Sequence, residues 1–186
     1  MNKILLILSL FTITGLSGCT DSDVDDTPLI SVLRIYLNEG ETDYSYNSEE
    51  LPVLTQDDVL TVVMRLDGKG AELKSFHASL VGGEGEEMNN VIRVTIVDYD
   101  EDDVADDSNL AKPQDGWVGF VDGVTKSEIT TQVKVYTSEQ MEAEVGFYLF
   151  SRAKPDQAGE VKMVFQTGER VEAEPEEVKE NMESRI

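Results

Sequence analysis

The sequence predicts an antiparallel β-sandwich of about eight strands, immunoglobulin-like in type. Segments in which apolar and polar residues alternate recur along the chain, and this is the pattern of strands with one face on a core and one face in water. Glycine, proline and aspartate residues separate these segments, as turns require. No amphipathic helical pattern lies between them, so the crossover helices of a parallel sheet are not expected. A closed β-barrel is the alternative architecture.

Eight segments carry the strand pattern. In chain order they are Leu29–Leu37, Val59–Asp67, Glu72–Val81, Asn90–Val97, Trp117–Val121, Ile129–Thr137, Glu144–Ser151 and Glu160–Gln166. Seven of them have a clear apolar face, consisting in the same order of Leu33, Ile35 and Leu37; Leu60, Val62, Met64 and Leu66; Phe76, Ala78 and Leu80; Ile92, Val94 and Ile96; Ile129, Val133 and Val135; Val145, Phe147 and Leu149; and Val161, Met163 and Phe165. The fifth segment is apolar on both faces. We expect these faces to form one core.

Turn residues divide the segments without dividing the chain into domains. Asp67–Gly70 predicts a hairpin, Gly82–Gly85 a loop, and the run from Pro155 to Gly159 a turn. One domain is therefore expected over residues 28–168. The polar residues 169–186 predict an acidic tail that is either a frayed helix or disordered.

The N-terminus has the pattern of an export signal. Lys3 precedes a short apolar stretch, Ile4 to Ile13, and small residues follow it, as in a secretory signal peptide. The stretch is too short to cross a bilayer, which takes about 20 residues. Leu16-Ser17-Gly18-Cys19 resembles the lipobox of bacterial lipoproteins. That resemblance implies removal of residues 1–18, lipidation of Cys19 and attachment to a membrane through the lipid.

An acidic tether is expected after the cysteine, over residues 19–27, because Asp21, Asp23, Asp25 and Asp26 fall within it. The segment is similar to the export signal of Bacteroidetes-type surface lipoproteins. This resemblance implies a position on the cell surface of the outer membrane, and the periplasmic face is the alternative. Cys19 is the single cysteine of the chain, so a disulfide framework and thiolate metal sites are excluded.

The charge of the chain restricts its partners. The formal net charge is −23, and removal of the signal peptide would also remove the basic Lys3. Such a surface repels nucleic acid and anionic lipid headgroups, so nucleic-acid binding is not expected. Neutral glycans, cationic peptides, metal cations and other envelope proteins are compatible with this charge.

Catalysis is not predicted. The sequence contains no nucleophile elbow, no zinc-protease helix motif, no phosphate-binding loop and no dinucleotide fingerprint. His77 is the sole histidine, and it alternates with Phe76 and Ala78, so we expect it on the solvent face of its strand. With 38 acidic residues in the chain, the spacing of any two carboxylates carries no information about glycoside hydrolysis.

The densest acidic segment, residues 98–107, predicts either a calcium site or a solvated loop. Asp98, Asp100 and Asp102 match the first three ligand positions of an EF-hand-like loop, and Asp106 or Asp107 would complete the shell. The match ends there, because the glycine and the final glutamate of such a loop are replaced and the sequence predicts no flanking helices.

Three aromatic residues are candidates for ligand binding. Trp117 lies just after the acidic segment, and Tyr44 and Tyr46 lie in a polar loop. The Trp117 ring could stack on a sugar or pack in the core, as a large aromatic in a small sandwich usually does, and the rings of Tyr44 and Tyr46 could stack on a sugar or pack within their loop. The sequence therefore predicts a non-catalytic, membrane-anchored lipoprotein with a ligand- or partner-binding sandwich. The alternatives are a glycan-binding accessory of a polysaccharide-uptake system and an envelope or fimbrial structural subunit.

Overall fold

The computed structural model describes residues 26–47, 50–81 and 91–170. Within them, the strands are β1 (Leu29–Leu37), β2 (Val59–Asp67), β3 (Leu73–Leu80), β4 (Ile92–Tyr99), β5 (Ala111–Lys112), β6 (Trp117–Gly119), β7 (Lys126–Val135), β8 (Met141–Ser151) and β9 (Gly159–Thr167), and a 3-10 helix (Pro113–Asp115) precedes β6. They form a four-stranded antiparallel sheet in the order β1-β2-β7-β4 and a five-stranded antiparallel sheet in the order β5-β6-β3-β8-β9. The predicted β-sandwich is confirmed, and the short β5 is a strand that the sequence pattern did not predict.

The chain passes repeatedly from one sheet to the other. Strands β1 and β2 begin the four-stranded sheet, β3 crosses to the five-stranded sheet, and β4 crosses back. Strands β5 and β6 then extend the five-stranded sheet, β7 returns to the four-stranded one, and β8 and β9 complete the other. This alternation between two packed antiparallel sheets is the immunoglobulin-like arrangement, and it leaves β1, β4, β5 and β9 as edge strands.

The core consists of the apolar faces that the alternation predicts. Leu60, Val62, Met64 and Leu66 of β2 are fully buried, and the faces of β3, β4, β7, β8 and β9 pack against them in a single cluster. In the five-stranded sheet, the rings of Phe76 and Phe147 are stacked with centroids 6.4 Å apart. With no disulfide possible, this burial is what opposes the conformational entropy of the unfolded chain.

A β-bulge in β1 makes one detail of the predicted core wrong. The pairing with β2 shifts between Val32 and Arg34, so Leu33 is an extra residue without a partner in the register. Ile30 and Val32 therefore face inward before the bulge, and Ile35 and Leu37 face inward after it. Strict period-two alternation predicts Leu33 on the inner face because it does not allow for an inserted residue.

A second bulge lies at the end of β4. The pairing with β7 shifts between Ile96 and Asp98, which leaves Val97 as the extra residue. Without it, Asp98 would face the core and Tyr99 would face solvent. With it, Asp98 is exposed and Tyr99 packs against the core. The bulge thus keeps a carboxylate out of the apolar layer.

The edge of β1 is partly covered by the loop that follows it. The Ile35 N–H donates to Asp43 Oδ1 over 3.1 Å, and the Tyr44 N–H donates to the Ile35 carbonyl over 2.8 Å. Hydrogen bonds from the backbone N–H groups of Ser45 and Ile35 hold the pKa of Asp43 below its ordinary value. On β9, Leu54 forms a parallel bridge with Thr167, and so it covers the end of that edge.

A buried carboxylate fixes the end of the described chain. Asp58 accepts hydrogen bonds from the Thr55 N–H at 2.7 Å, from Asn38 Nδ2 at 2.6 Å and from Arg170 Nη2 at 2.7 Å. Arg170 also donates to the Val53 carbonyl at 3.3 Å. Arg170, two residues beyond the predicted end of the domain at residue 168, is therefore bound to the domain.

Several predicted segments lie outside the described residues. They are the signal peptide 1–18, Cys19 and most of the acidic tether, the loop Gly82–Gly85, and residues 171–186 of the tail. In the part of the chain that the structure describes, no helix is long and apolar enough to cross a membrane.

Candidate ligand-binding face

A row of five side chains crosses the outer face of the five-stranded sheet. The strand register pairs Lys112 with Trp117, Trp117 with His77, His77 with Tyr148, and Tyr148 with Glu160. Their neighbours along the strands, such as Phe76, Val118 and Phe147, face the core, so the five residues face away from it. We call this set the transverse row.

Two rings of the transverse row, Trp117 and His77, pack together with Phe150, which lies beside the row on β8. His77 lies between two rings, with its centroid 5.6 Å from Trp117 at an interplanar angle of 50° and 5.8 Å from Phe150 at 72°. These are the tilted and edge-to-face arrangements that aromatic pairs prefer. All four aromatic rings, including Tyr148, are half-buried. Trp117 is thus a surface residue, and its alternative interpretation as a core residue is wrong.

Small residues beside the row determine how the rings lie. A Cβ atom at Gly146 would stand 2.4 Å from Tyr148 Oη and 2.6 Å from its ring, so the tyrosine lies over the glycine. On one side of the row, Ser79 pairs with Gly146. On the opposite side of the row, Ser75 pairs with Gly119. Any larger residue at Gly146 would force the Tyr148 ring away from the sheet.

His77 is less exposed than the sequence predicted. Its position on the outer face agrees with the prediction, but Trp117 and Phe150 cover it on two sides. Burial lowers the pKa of the imidazole below its usual value of 6.5, because a desolvated ring disfavours the charged form. The centre of the transverse row is therefore uncharged at neutral pH.

The two ends of the row carry opposite charges. Lys112 is exposed at the β5 end and Glu160 at the β9 end. Lys162 Nζ lies 3.1 Å from Glu160 Oε1 and 3.3 Å from Glu144 Oε1, and the hydrogen bonds that Lys162 donates to these two carboxylates raise the pKa of Lys162. An aromatic centre is thus bordered by side chains that can donate and accept hydrogen bonds.

The indole of Trp117 is held in an energetically costly position. Its Nε1 is buried and has no hydrogen-bond partner among the described residues. A buried donor without a partner costs about 1–3 kcal/mol. Packing stability alone does not explain a tryptophan at this position, because a purely apolar ring would avoid that cost.

The turn before β6 sets the direction of Trp117. Gly116 ends the 3-10 helix with a φ of 73°, in the left-handed region that glycine occupies without strain. Its carbonyl accepts a 2.8 Å hydrogen bond from the Ala78 N–H. A Cβ atom here would lie 2.2 Å from the Ala78 carbonyl oxygen, so only glycine allows β6 to approach β3 this closely.

The other two predicted ligand-binding residues lie elsewhere. Tyr44 packs against the core beside β1, whereas Tyr46 is 92% exposed in the loop. Strand β1 belongs to the four-stranded sheet and Trp117 to the five-stranded one. The structure therefore does not bring Trp117, Tyr44 and Tyr46 into one site.

The acidic segment is arranged as a folded loop. Asp100 Oδ1 accepts the Asp102 N–H at 3.0 Å, and Asp107 Oδ1 accepts the Asn109 N–H at 2.8 Å. The buried Val104 attaches the segment to the domain through a bridge to Phe120.

Calcium coordination was one of the two predictions for this segment, with Asp98, Asp100, Asp102, Asp106 and Asp107 as ligands. Among the described residues, which include all five of these, no three carboxylate, histidine or cysteine side chains form a group that could hold a metal ion. The carboxylates of Asp100 and Asp107 instead bind backbone N–H groups of their own turns. This geometry gives the calcium prediction no support.

A groove of about 430 Å³ opens between the edge strands β1 and β9. Its walls are mainly apolar and include Val32, Val62, Phe147 and Met163. None of the residues predicted to bind a ligand lines it.

The outward direction of several of these aromatic residues could be predicted from the sequence. The alternation in β8 places Tyr148 and Phe150 opposite Phe147 and Leu149, and the same argument places His77 outward on β3. What the sequence did not contain was the order of the strands, which makes β6, β3 and β8 neighbours and so unites their aromatic residues.

The fold and the transverse row define a β-sandwich module with an aromatic outer face. The chain belongs to the protein family described as a domain of unknown function (DUF5035), whose model matches residues 19–167. No curated protein sequence matches the chain.

Three solved structures that match this chain differ widely from it in sequence. A mutant of the SrpA adhesin from Streptococcus sanguinis is 11% identical with a TM-score of 0.39, and the match covers 76% of this chain and 57% of the adhesin chain. A family 123 glycoside hydrolase from Clostridium perfringens is 10% identical with a TM-score of 0.43, and the match covers 77% of this chain but 28% of the hydrolase chain. The MSCRAMM ACE from Enterococcus faecalis is 10% identical with a TM-score of 0.33, covering 77% of this chain and 60% of that one.

Proposed function

We propose that this protein is a lipid-anchored, non-catalytic binding module of the bacterial envelope, and that its binding face is the transverse row. One observation carries the proposal: aromatic side chains from three adjacent strands share a sheet face that points away from the core. Outward positions of a half-exposed sheet are normally polar. A group of rings bordered by polar residues on such a face is typical of an interaction site.

The proposed anchor rests on the sequence. The lipobox Leu16-Ser17-Gly18-Cys19 supports lipidation, and the family match begins at Cys19, the residue that would become the mature N-terminus. The acidic residues that follow support display on the outer surface of the outer membrane, with the periplasmic face as the alternative location. The lack of the common catalytic motifs in the sequence supports a role in binding instead of catalysis.

Site-specific cross-linking in living cells tests the binding face. A photoreactive amino acid replaces the exposed Ser79, which lies beside the transverse row, in the full-length anchored protein. The matched control carries it at the exposed Arg34, on the outer face of the four-stranded sheet. We expect covalent adducts with envelope or extracellular material at position 79 and few at position 34. Equal labelling at both positions would contradict the proposal.

A further inference from the structure

We infer that the transverse row binds a neutral oligosaccharide, with sugar rings stacked on Trp117 and sugar hydroxyls hydrogen-bonded to Lys112 and Glu160. This inference rests on the proposed function and adds the chemical class of the ligand.

The first argument is the shape and polarity of the rings. A sugar ring has an apolar face made of C–H groups and a polar periphery made of hydroxyls. Aromatic side chains offer a large, rigid apolar face at a small cost in conformational entropy. The transverse row places such rings in its centre and a base and an acid at its ends, which matches the distribution of polarity in a sugar.

The second argument is charge. His77 at the centre is covered by two rings, and Lys112 and Glu160 at the ends have opposite signs. The row therefore has no net charge to attract an anion, while the chain as a whole carries −23 and repels polyanions. An uncharged ligand fits these conditions better than an acidic polysaccharide.

The third argument is length. The row crosses five strands, or four inter-strand spacings of about 4.8 Å, and so extends about 19 Å. On one side of the row, Ser79 is too small to screen the rings. This length suits a chain of several sugars better than a monosaccharide.

A proline-rich peptide is the competing ligand, because aromatic-lined grooves also bind polyproline II segments. The carbonyl groups of such a peptide are fully solvated and need donors when they are buried against a protein. The indole N–H of Trp117 is itself buried, and prolines carry no N–H that could bind Glu160, whereas sugar hydroxyls can donate to Glu160 and accept from Lys112. The geometry therefore favours the saccharide.

The experiment uses the fact that Trp117 is the single tryptophan of the chain. Full-length protein in detergent is titrated with neutral malto-, cello-, xylo- and manno-oligosaccharides, with anionic oligogalacturonate and with a proline-rich peptide, and tryptophan emission is recorded. Glycan-array binding provides a second measurement that does not depend on the tryptophan. We expect a saturable emission shift with at least one neutral oligosaccharide. We expect no shift with oligogalacturonate or with the proline-rich peptide.

Three variants test whether binding takes place at the transverse row. Trp117→Ala should weaken array binding at least about tenfold, equivalent to about 1.4 kcal/mol. Glu160→Gln changes an exposed side chain that does not contribute to the core, so it should fold normally and still weaken binding several-fold. Tyr136→Ala removes a partly exposed ring outside the transverse row and should leave binding unchanged.

The inference is overturned if no neutral oligosaccharide gives a saturable response, if the peptide or the anionic saccharide binds instead, or if Tyr136→Ala weakens binding as much as Trp117→Ala. Its failure is distinguishable from failure of the proposed function. Adducts formed with a protein at position 79 would keep the transverse row as a binding face while excluding a saccharide.

Discussion

At the scale of single residues, Asp58 is the polar group on which one end of the domain depends. Its side chain is only 7% exposed. Burial by itself favours the protonated form, but hydrogen bonds from Thr55 and Asn38 and the charge of Arg170 outweigh that effect and hold the pKa of Asp58 below its usual value of 3.8. Burial of an ionised carboxylate is tolerated only with such partners.

We expect Asp58→Asn to lower the free energy of unfolding by about 2 kcal/mol, because hydrogen bonds to a buried charged group contribute about 1.5–3 kcal/mol. Urea denaturation at pH 7 measures the change. Because the pKa is lowered in the folded state, this stabilisation is present above pH 3.8 and disappears as the pH falls through the folded value. The difference between wild type and variant should narrow over that acid range.

Asp57→Asn is the matched control for this prediction. Asp57 adjoins Asp58 in the chain, but its side chain is 77% exposed and lies 3.9 Å from Lys134. Its loss should change stability by about 0.5 kcal/mol or less. Equal effects of the two substitutions would mean that the hydrogen bonds of Asp58 contribute nothing beyond those of an exposed carboxylate.

At the scale of elements, the joint between the 3-10 helix and β6 determines whether Trp117 reaches its neighbours. Gly116→Ala should destabilise the domain by more than about 3 kcal/mol, because a left-handed conformation already costs a non-glycine residue about 1–2 kcal/mol and the new Cβ atom would collide with the Ala78 carbonyl. Tryptophan emission should shift in the folded variant as the indole moves away from His77.

Gly123→Ala provides the comparison. Gly123 also has a positive φ, 89°, but a Cβ atom there would meet nothing within 4 Å. Its substitution should therefore cost only the conformational penalty, about 1–2 kcal/mol, and leave tryptophan emission unchanged. If urea denaturation gives the same loss for both variants, the close approach of β6 and β3 is not what requires glycine at position 116.

The elements also show how far sequence reasoning extends. Alternation placed β2 at its observed bounds, Val59–Asp67, because every second side chain of that strand enters the core. It failed at Leu33, where an inserted residue changes which face the following side chains occupy, and it did not predict the second inserted residue, Val97. A bulge is decided by packing between strands, and this information is not contained in the local pattern.

At the scale of the whole molecule, the transverse row is formed by the pairing of strands that lie far apart in the chain, and the sequence did not predict this pairing. Trp117 and His77 are 40 positions apart in the chain, yet they are cross-strand neighbours. Nothing in either segment encodes that contact, so the transverse row emerged only with the sheet order. The anchor is different, since a lipobox is read from consecutive residues.

For the anchor, we predict that Cys19→Ala moves the protein out of the acylated membrane fraction or leaves it uncleaved, because the thiol that would receive the lipid is gone. Metabolic labelling with a fatty acid, followed by fractionation, measures this. Ser17→Ala is a suitable control, since it keeps a small residue before the cysteine and should retain the label. Normal acylation of Cys19→Ala would contradict the proposed anchor.

The edges of the two sheets limit how crowded copies of the domain can pair with one another. An unpaired edge can template intermolecular sheet growth, but the edge strands that the structure describes are bulged, short or partly covered. Strand β1 has a bulge and is covered at Ile35, β4 has a bulge at Val97, β5 has two residues, and the end of β9 is covered by Leu54. Of the edge strands that the structure describes, only β9 therefore offers neighbouring copies a long regular edge, and there the charged side chains of Glu160 and Lys162 oppose strand pairing between copies.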